Sequence, residues 1–76
     1  LKTPETVIYE IFREVTRAVR QFEAIKVMVM ASPQVVAKIS EEESTAVAEL
    51  EEFIKKEIRF QADDQYAQDQ FDVVLS

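Results

Sequence analysis

The segment Ile25-Lys26-Val27-Met28-Val29-Met30-Ala31 is the most continuous apolar run in the chain, and it decides the fold. In an extended strand, one face of this run is wholly apolar and the other becomes apolar after Lys26. A strand that can bury both faces usually lies in the middle of a small sheet. A buried helical turn is the alternative, but β-branched residues at alternate positions favour the strand. The predicted faces are Ile25, Val27, Val29 and Ala31 on one side, and Lys26, Met28 and Met30 on the other.

The sequence after this strand predicts two helices separated by a bend. Ser32-Pro33 suits the start of a short helix at about 33–39, with the serine as the cap and the proline in the first turn. Ser40-Glu41-Glu42-Glu43 matches the S-x-x-E capping box, which predicts a bend at Ser40 and a second helix to about Lys56. The predicted inward residues are Val35, Val36 and Ile39 in the first helix, and Val47, Leu50 and Ile54, flanked by Ala46 and Phe53, in the second.

Two more strands are predicted in the C-terminal half. Residues 58–62 alternate between apolar and polar side chains, which is typical of a half-buried strand. A strand, a helical crossover and a second strand favour parallel pairing. Because the chain has no Gly to end the preceding helix, a Lys or Glu at position 56 or 57 is expected to adopt the left-handed conformation. Residues 71–75 alternate again and predict a third short strand after a polar loop at 63–70.

An amphipathic helix is predicted to precede the central strand. Thr3-Pro4-Glu5 gives its start, since Thr caps, Pro suits the first position and Glu complements the helix dipole. Its apolar stripe is expected to pack on the sheet of the same domain. A short coiled coil with a partner helix is the alternative, because Ile8, Val15 and Phe22 are spaced seven apart. The stripe consists of Val7, Ile8, Ile11, Phe12, Val15, Ala18, Val19 and Phe22.

These elements predict one small α/β (α+β) domain that covers residues 1–76. Its order is helix-strand-helix-helix-strand-strand, with a three-stranded mixed sheet and helices packed mainly on one face. A chain of 76 residues buries only about 60–65% of the surface that its unfolded form exposes, so the core is thin. The chain begins with Leu rather than Met, and we therefore expect that it is part of a longer protein.

Residue types that the chain lacks exclude several kinds of site. The sequence contains no Cys, no His and no Gly. Disulfides, thiolate metal sites and nucleophiles that depend on His are therefore excluded, as are Gly-rich phosphate loops. The chain also lacks a signal-peptide pattern and any run of transmembrane length, so no membrane partner is expected. The lack of Cys fits a reducing compartment. We predict no catalytic, cofactor-binding or metal-binding residue in this segment.

Charge is distributed unevenly along the chain. The net charge is −6, with about +2 in residues 1–38 and about −8 in residues 39–76. The domain as a whole should therefore repel nucleic acid phosphates, and only the first helix could attract them.

Arg13, Arg17 and Arg20 follow helical spacing on the outer face of that helix. Glu10 precedes Arg13, and Glu14 lies between Arg13 and Arg17. Their i,i+3 spacing predicts the ion pairs Glu10–Arg13 and Glu14–Arg17. A solvated, self-paired face is one interpretation. A face that binds the RNA backbone or an acidic partner surface is the other.

The loop before the last strand is rich in carboxylates, which raises the question of a magnesium site. Asp63, Asp64, Asp69 and Asp72 lie within ten residues of one another. Their spacing matches no common magnesium or calcium motif, and a solvated connector is favoured.

Several segments resemble the small C-terminal domain of the bacterial ribonuclease E/G family. The match covers nearly the whole chain, and its last segment, which is similar to the end of the family's short members, is the most specific. The segments are Thr3–Val7, Tyr9–Ile11 and Arg13–Val15 in the opening helix, Ala31–Pro33 with Val35 or Val36 at the strand-to-helix corner, Glu42–Ser44 and Ala48–Glu51 in the acidic helix, and Gln68–Val74.

The resemblance implies that this chain is a part of an enzyme that does not contain the catalytic residues. The family cleaves single-stranded, often AU-rich RNA in the cytoplasm, in messenger decay and in maturation of the 5′ end of the small ribosomal RNA. The resemblance places its magnesium-binding aspartates and zinc-binding cysteines in regions that would precede Leu1, so Mg²⁺ and Zn²⁺ are expected only in the full-length parent. The pair Asp63-Asp64 lies outside the catalytic motif of the family.

What remains for this domain is packing and assembly. The expected partners are further copies of the chain and the catalytic domains of the parent, with RNA bound through the parent enzyme. Methionine adapts to irregular contact surfaces, which makes the second face of the central strand a candidate interface. The predicted interface residues are Met28, Met30, Phe71 and Val74, and the alternative RNA-binding residues are Arg13, Arg17 and Arg20.

Overall fold

The computed structural model describes residues 2–76, and in this part of the chain it contains three helices and three strands. The three-stranded sheet has the order β2-β1-β3. The elements are α1 (Pro4–Gln21), β1 (Lys26–Ala31), α2 (Pro33–Glu42), α3 (Ser44–Ile54), β2 (Glu57–Ala62) and β3 (Phe71–Leu75).

The central position predicted for β1 is confirmed. It pairs with β2 in parallel and with β3 in antiparallel orientation, which makes the sheet mixed. Val27, Val29 and Ala31 are fully buried, because the helices cover this side of the strand. The predicted α+β architecture, with its helices on one face of a three-stranded sheet, is therefore correct.

Helix α1 begins as its sequence predicts. The Thr3 hydroxyl accepts a hydrogen bond from the Thr6 backbone N–H at 3.2 Å, and Pro4 occupies the first turn. Five apolar residues of α1 are buried against the sheet and the other helices. They are Val7, Ile8, Ile11, Val15 and Ala18.

The bend between α2 and α3 lies at Glu43, three residues later than predicted. The prediction of a capping box at Ser40 is therefore wrong. Helix α2 continues through Ser40 to Glu42, since Val35 and Ile39 are buried one turn apart. A salt bridge between Lys38 and Glu42 at 2.9 Å spans the serine. At the bend, the Glu43 backbone N–H donates the last hydrogen bond of α2, to the Ile39 carbonyl, and the Glu43 carbonyl accepts the first hydrogen bond of α3, from Val47 N–H. No side chain caps α3.

Glu41 and Glu42 consequently lie at the negative end of α2 rather than at the positive end of α3. This placement is electrostatically unfavourable for a carboxylate. Lys38 offsets it, since its Nζ contacts Glu42 at 2.9 Å and Glu5 of α1 at 3.1 Å. Hydrogen bonds to these two carboxylates raise the pKa of Lys38 above its ordinary value.

The left-handed residue predicted after α3 is present, but one position earlier, at Lys55 (φ 61°, ψ 36°). It allows the chain to turn directly from α3 into β2. Three apolar residues predicted to be inward are exposed instead: Phe22, Ile25 and Phe53. Phe22 and Ile25 lie in the connection between α1 and β1, and Phe53 lies on the outer side of α3.

Candidate functional site

The sheet has one face that no helix covers, and we call it the open face. Strand register places Met28 beside Arg59 of β2 and Val74 of β3, and places Met30 beside Gln61 and Asp72. Side chains alternate between the two faces along each strand, so these residues share one side of the sheet. The open face consists of Lys26, Met28, Met30, Glu57, Arg59, Gln61, Asp72 and Val74.

The structure brings together three of the four predicted interface residues. Met28 and Met30 are half-buried, and Val74 is 47% exposed beside Met28. Phe71 lies opposite Ala31, on the side of the sheet that the helices cover, where it packs against the edge of the core. The open face is therefore smaller than the predicted set and is centred on Met28.

The loop between β2 and β3 covers one end of the open face. The Tyr66 hydroxyl donates a hydrogen bond to Asp72 Oδ2 at 2.6 Å and lies 3.9 Å from the sulfur of Met30. This hydrogen bond raises the pKa of Tyr66, because ionisation would remove the donor and place a second negative charge beside Asp72. Tyr66 thus fixes the loop to the sheet and leaves Met28 uncovered.

Sequence reasoning missed this role of Tyr66. The signal was a single aromatic residue within the polar segment 63–70, and an aromatic side chain in a loop needs an apolar surface to cover. The position of that surface depends on how β3 pairs with β1, which the sequence left open.

The charged residues of the open face lie at its margin. Arg59 forms a salt bridge with Glu57 at 2.8 Å, and both side chains are more than half exposed. Exposed pairs of this kind contribute only about 0–1 kcal/mol to stability. Arg59 therefore borders the apolar centre at Met28 without closing it.

The acidic loop uses carboxylates for its own structure. Asp63 Oδ1 accepts a hydrogen bond from the Gln65 backbone N–H at 2.9 Å, and Asp72 accepts the Tyr66 hydroxyl. Across residues 2–76 there is no group of three or more Asp or Glu side chains placed to hold a metal ion. This arrangement does not fit the magnesium site, and a chain without Cys does not fit the zinc site, that the resemblance implies for the full-length parent.

The second candidate surface is the outer face of α1. Arg17 makes a two-pronged contact with Glu14, at 3.0 Å from Nε and 2.6 Å from Nη2, and donates to Gln21 at 2.9 Å. This contact lowers the pKa of Glu14 and raises that of Arg17. The guanidinium of Arg17 is therefore occupied by side chains of its own helix.

Arg13 and Arg20 differ from Arg17. The predicted pair between Glu10 and Arg13 is wrong, because Glu10 binds Lys2 at 3.0 Å instead. Among residues 2–76, neither Arg13 nor Arg20 has an ion-pair partner.

These arginines border a shallow open groove of about 760 Å³ that also includes Tyr9. Tyr9 is 66% exposed, one helical turn before Arg13. Sequence reasoning did not single out this tyrosine, although its spacing of four from Arg13 placed both on one side of the helix. No helix in residues 2–76 combines the length and the hydropathy that a membrane crossing needs.

Comparison with known proteins places this fold in a family. No protein-family model matches the chain. It is 44% identical over 75 residues to Ribonuclease G of Salmonella typhimurium (strain SL1344) and 43% identical over 75 residues to Ribonuclease G of Escherichia coli (strain K12). It is also 42% identical over 76 residues to Ribonuclease G of Haemophilus influenzae.

The chain is a ribonuclease E/G family domain, as the resemblance predicted. The particular relatives that it matches are all named Ribonuclease G. Each match takes in 99% of this chain but only 15–16% of the relative. The chain therefore corresponds to a small part of these curated relatives.

Proposed function

We propose that this chain is a structural and oligomerisation domain from the C-terminal part of a ribonuclease G-like endoribonuclease. In this proposal the parent enzyme is cytoplasmic, cleaves single-stranded RNA in ribosomal RNA maturation and messenger decay, and carries its Mg²⁺ and Zn²⁺ in other domains. The family match over 99% of the chain supports the parentage. The open face around Met28 is the observation that carries the assembly role.

The open face has the chemistry of a contact surface. The two methionines and Val74 form an apolar centre, and the charged residues lie around it. An apolar centre with a polar rim is the usual composition of a protein interface. A three-stranded sheet covered on one side only is also a thin structure, which gains stability when the other side is covered.

Sedimentation of the chain tests the assembly role. We expect self-association that rises with concentration and is weakened in Met28→Glu, because a carboxylate at the centre of the face would be desolvated in the interface. Gln34→Glu is the matched control, since Gln34 is exposed on α2 and the charge change is the same. A strict monomer at high concentration, or equal behaviour of both variants, would contradict the proposal.

Incubation of the chain with single-stranded RNA and Mg²⁺ tests whether it cleaves RNA by itself. We expect no cleavage by the chain, because Asp63 is engaged in a loop turn and the residues do not form a magnesium site. Cleavage that depends on Mg²⁺ and disappears in Asp63→Ala would overturn this expectation.

A second candidate function is binding of single-stranded RNA by α1. It is favoured by the two arginines without ion-pair partners in residues 2–76 and by Tyr9, because stacking aromatics beside cations are the usual means of binding single strands. The net charge of −6 opposes it.

Titration with a labelled single-stranded oligoribonucleotide at two salt concentrations tests this candidate. If α1 binds RNA, affinity falls with salt and is lost in Arg13→Glu and Arg20→Glu. Lys55→Glu is the control with the same charge change on an exposed residue at the end of α3. Equal loss in the control, or no measurable binding by the unchanged chain, would exclude a specific role for α1.

A further inference from the structure

The outer edge of β3 presents backbone groups that no residue in the range 2–76 satisfies. Ser76 N–H donates to the Lys26 carbonyl at 3.0 Å, and Lys26 N–H donates to the Ser76 carbonyl at 3.0 Å. In an antiparallel pair the residues alternate between facing the partner strand and facing away. Val74 and Asp72 therefore pair with β1, whereas Phe71, Val73 and Leu75 direct their N–H and C=O groups outward.

The outer edge of β2 is protected in a way that the edge of β3 is not. Glu51 of α3 accepts a hydrogen bond from the Ile58 N–H at 2.8 Å, which occupies an outward donor of β2. Within residues 2–76 no hydrogen bond reaches the outward groups of β3. Exposed edges in native proteins usually carry Lys, Pro or a bulge, and Phe71–Leu75 has no Lys or Pro.

We propose that this edge pairs with β3 of a second copy of the chain, in antiparallel orientation, so that the two sheets become continuous. The inference rests on the proposed assembly role and adds a second contact, at the strand edge, to the one proposed on the open face. A two-fold axis at Val73 places Val73 opposite Val73 of the second copy and Phe71 opposite Leu75. All three outward residues then exchange backbone hydrogen bonds across the axis.

Charge supports this register. With the axis at Val73, Asp72 lies opposite Val74 of the second copy, so that no like charges meet. A shift of the axis to Asp72 would place two carboxylates directly opposite each other, which is unfavourable. The same shift would also leave one outward residue of each strand unpaired. The register centred at Val73 therefore both pairs all three outward residues and keeps the carboxylates of Asp72 apart.

This register predicts opposite effects on dimer stability for two substitutions of Val74. Val74→Asp would place a carboxylate opposite Asp72 of the second copy, twice in each dimer by symmetry. Val74→Lys would place an ammonium group there and form two attractive pairs. Both changes remove the same apolar side chain from a position that is 47% exposed, so each variant is the other's control.

Sedimentation of the two variants, with circular dichroism to verify folding, gives the first test. We expect the dimer of Val74→Asp to be weaker and to dissociate at a concentration about tenfold or more above that of Val74→Lys, from cross-strand charge pairs of the usual strength. If both variants lose self-association equally while Met28→Glu also does, the copies meet through the open face alone, and the edge pairing is wrong although the assembly role stands. If the unchanged chain is monomeric, both are wrong.

Amide hydrogen exchange of the unchanged chain gives a second test that needs no variant. Val73 N–H has no acceptor among the described residues 2–76, so its exchange should slow about tenfold or more as the chain dimerises. The Phe60 N–H is the control, because it also points outward, from the opposite edge of the sheet. Dimerisation without protection of Val73, or with equal protection of Phe60, would overturn the proposed pairing.

Discussion

The two faces of the sheet are made from alternate residues of the same strands, yet their surroundings are opposite. On one face Val27, Val29 and Ile58 are nearly inaccessible to solvent beneath the helices. On the other, Met28 is half-buried and its neighbour Arg59 is exposed. The covered face therefore provides the stability of the domain, and the open face is available for contacts. Substitutions on the two sides of the sheet test how sharply this division holds.

The largest expected difference in unfolding free energy is between substitutions of two neighbouring residues on β2, Ile58 and Arg59. Ile58→Ala should lower the free energy of unfolding by about 3 kcal/mol, because it leaves a cavity in the core. Arg59→Ala, on the open face, should change it by less than about 0.5 kcal/mol. Urea denaturation of both variants measures this contrast, and similar losses would show that the open face also carries stability.

A smaller effect is expected where β1 leads into the helix layer. Ser32 is buried, and its hydroxyl accepts a hydrogen bond from the Val35 N–H at 3.3 Å. Ser32→Ala should cost about 1 kcal/mol of unfolding free energy, the usual value of an N-cap. Ser32→Asp, measured in the same way, is expected to retain the cap and part of that stability. No loss in Ser32→Ala would mean that packing alone holds α2 on the sheet.

A gain in stability of about 0.5–1 kcal/mol is expected from Lys55→Gly, because glycine adopts the left-handed conformation without the steric cost of a side chain. Lys56→Gly is the control and should destabilise slightly, since Lys56 does not have a positive φ. Thermal unfolding compares the two. A gain in both variants would indicate that removal of positive charge, rather than conformation, is responsible.

The smallest effect concerns the loop on the open face and appears only at high pH. The pKa of Tyr66 is raised in the folded chain by its hydrogen bond to Asp72. Such a group stabilises the fold below its unfolded pKa, which is about 10, and the contribution is lost as the pH rises through the folded pKa.

Tyr66→Phe should remove this alkaline loss. The difference in unfolding free energy between the unchanged chain and Tyr66→Phe, followed from neutral pH to above the tyrosine pKa, measures it. A difference that does not change with pH would show that the hydrogen bond to Asp72 does not hold the loop.

Local patterns were sufficient to predict the elements and the central strand. Alternation over Lys26–Ala31 and the Thr3 and Ser32 caps are properties of a few neighbouring residues, and the structure confirms them. The capping box at Ser40 failed for a different reason. Burial of Ile39 and the contact of Lys38 with Glu5 of α1 keep α2 helical past the serine. A local signal was thus outweighed by packing between helices.

The candidate site could be predicted only in part. The sequence placed Met28 and Met30 on one face of their strand, and this much follows from the period of a strand. It could not place Val74 beside Met28, or Phe71 on the other side, because both depend on the register between β1 and β3. The place of Tyr66 over Met30 depends on the same register.

The sequence by itself determined the number and type of the elements, the burial of the Val27 and Val29 face and, through the resemblance, the family. Each of these follows from residues close together in the chain or from a match along it. Only the tertiary structure decided which residues form the open face, which arginines of α1 lack a partner in residues 2–76, and which strand edge remains unpaired. Pairing between distant segments fixes these features, and no local pattern encodes it.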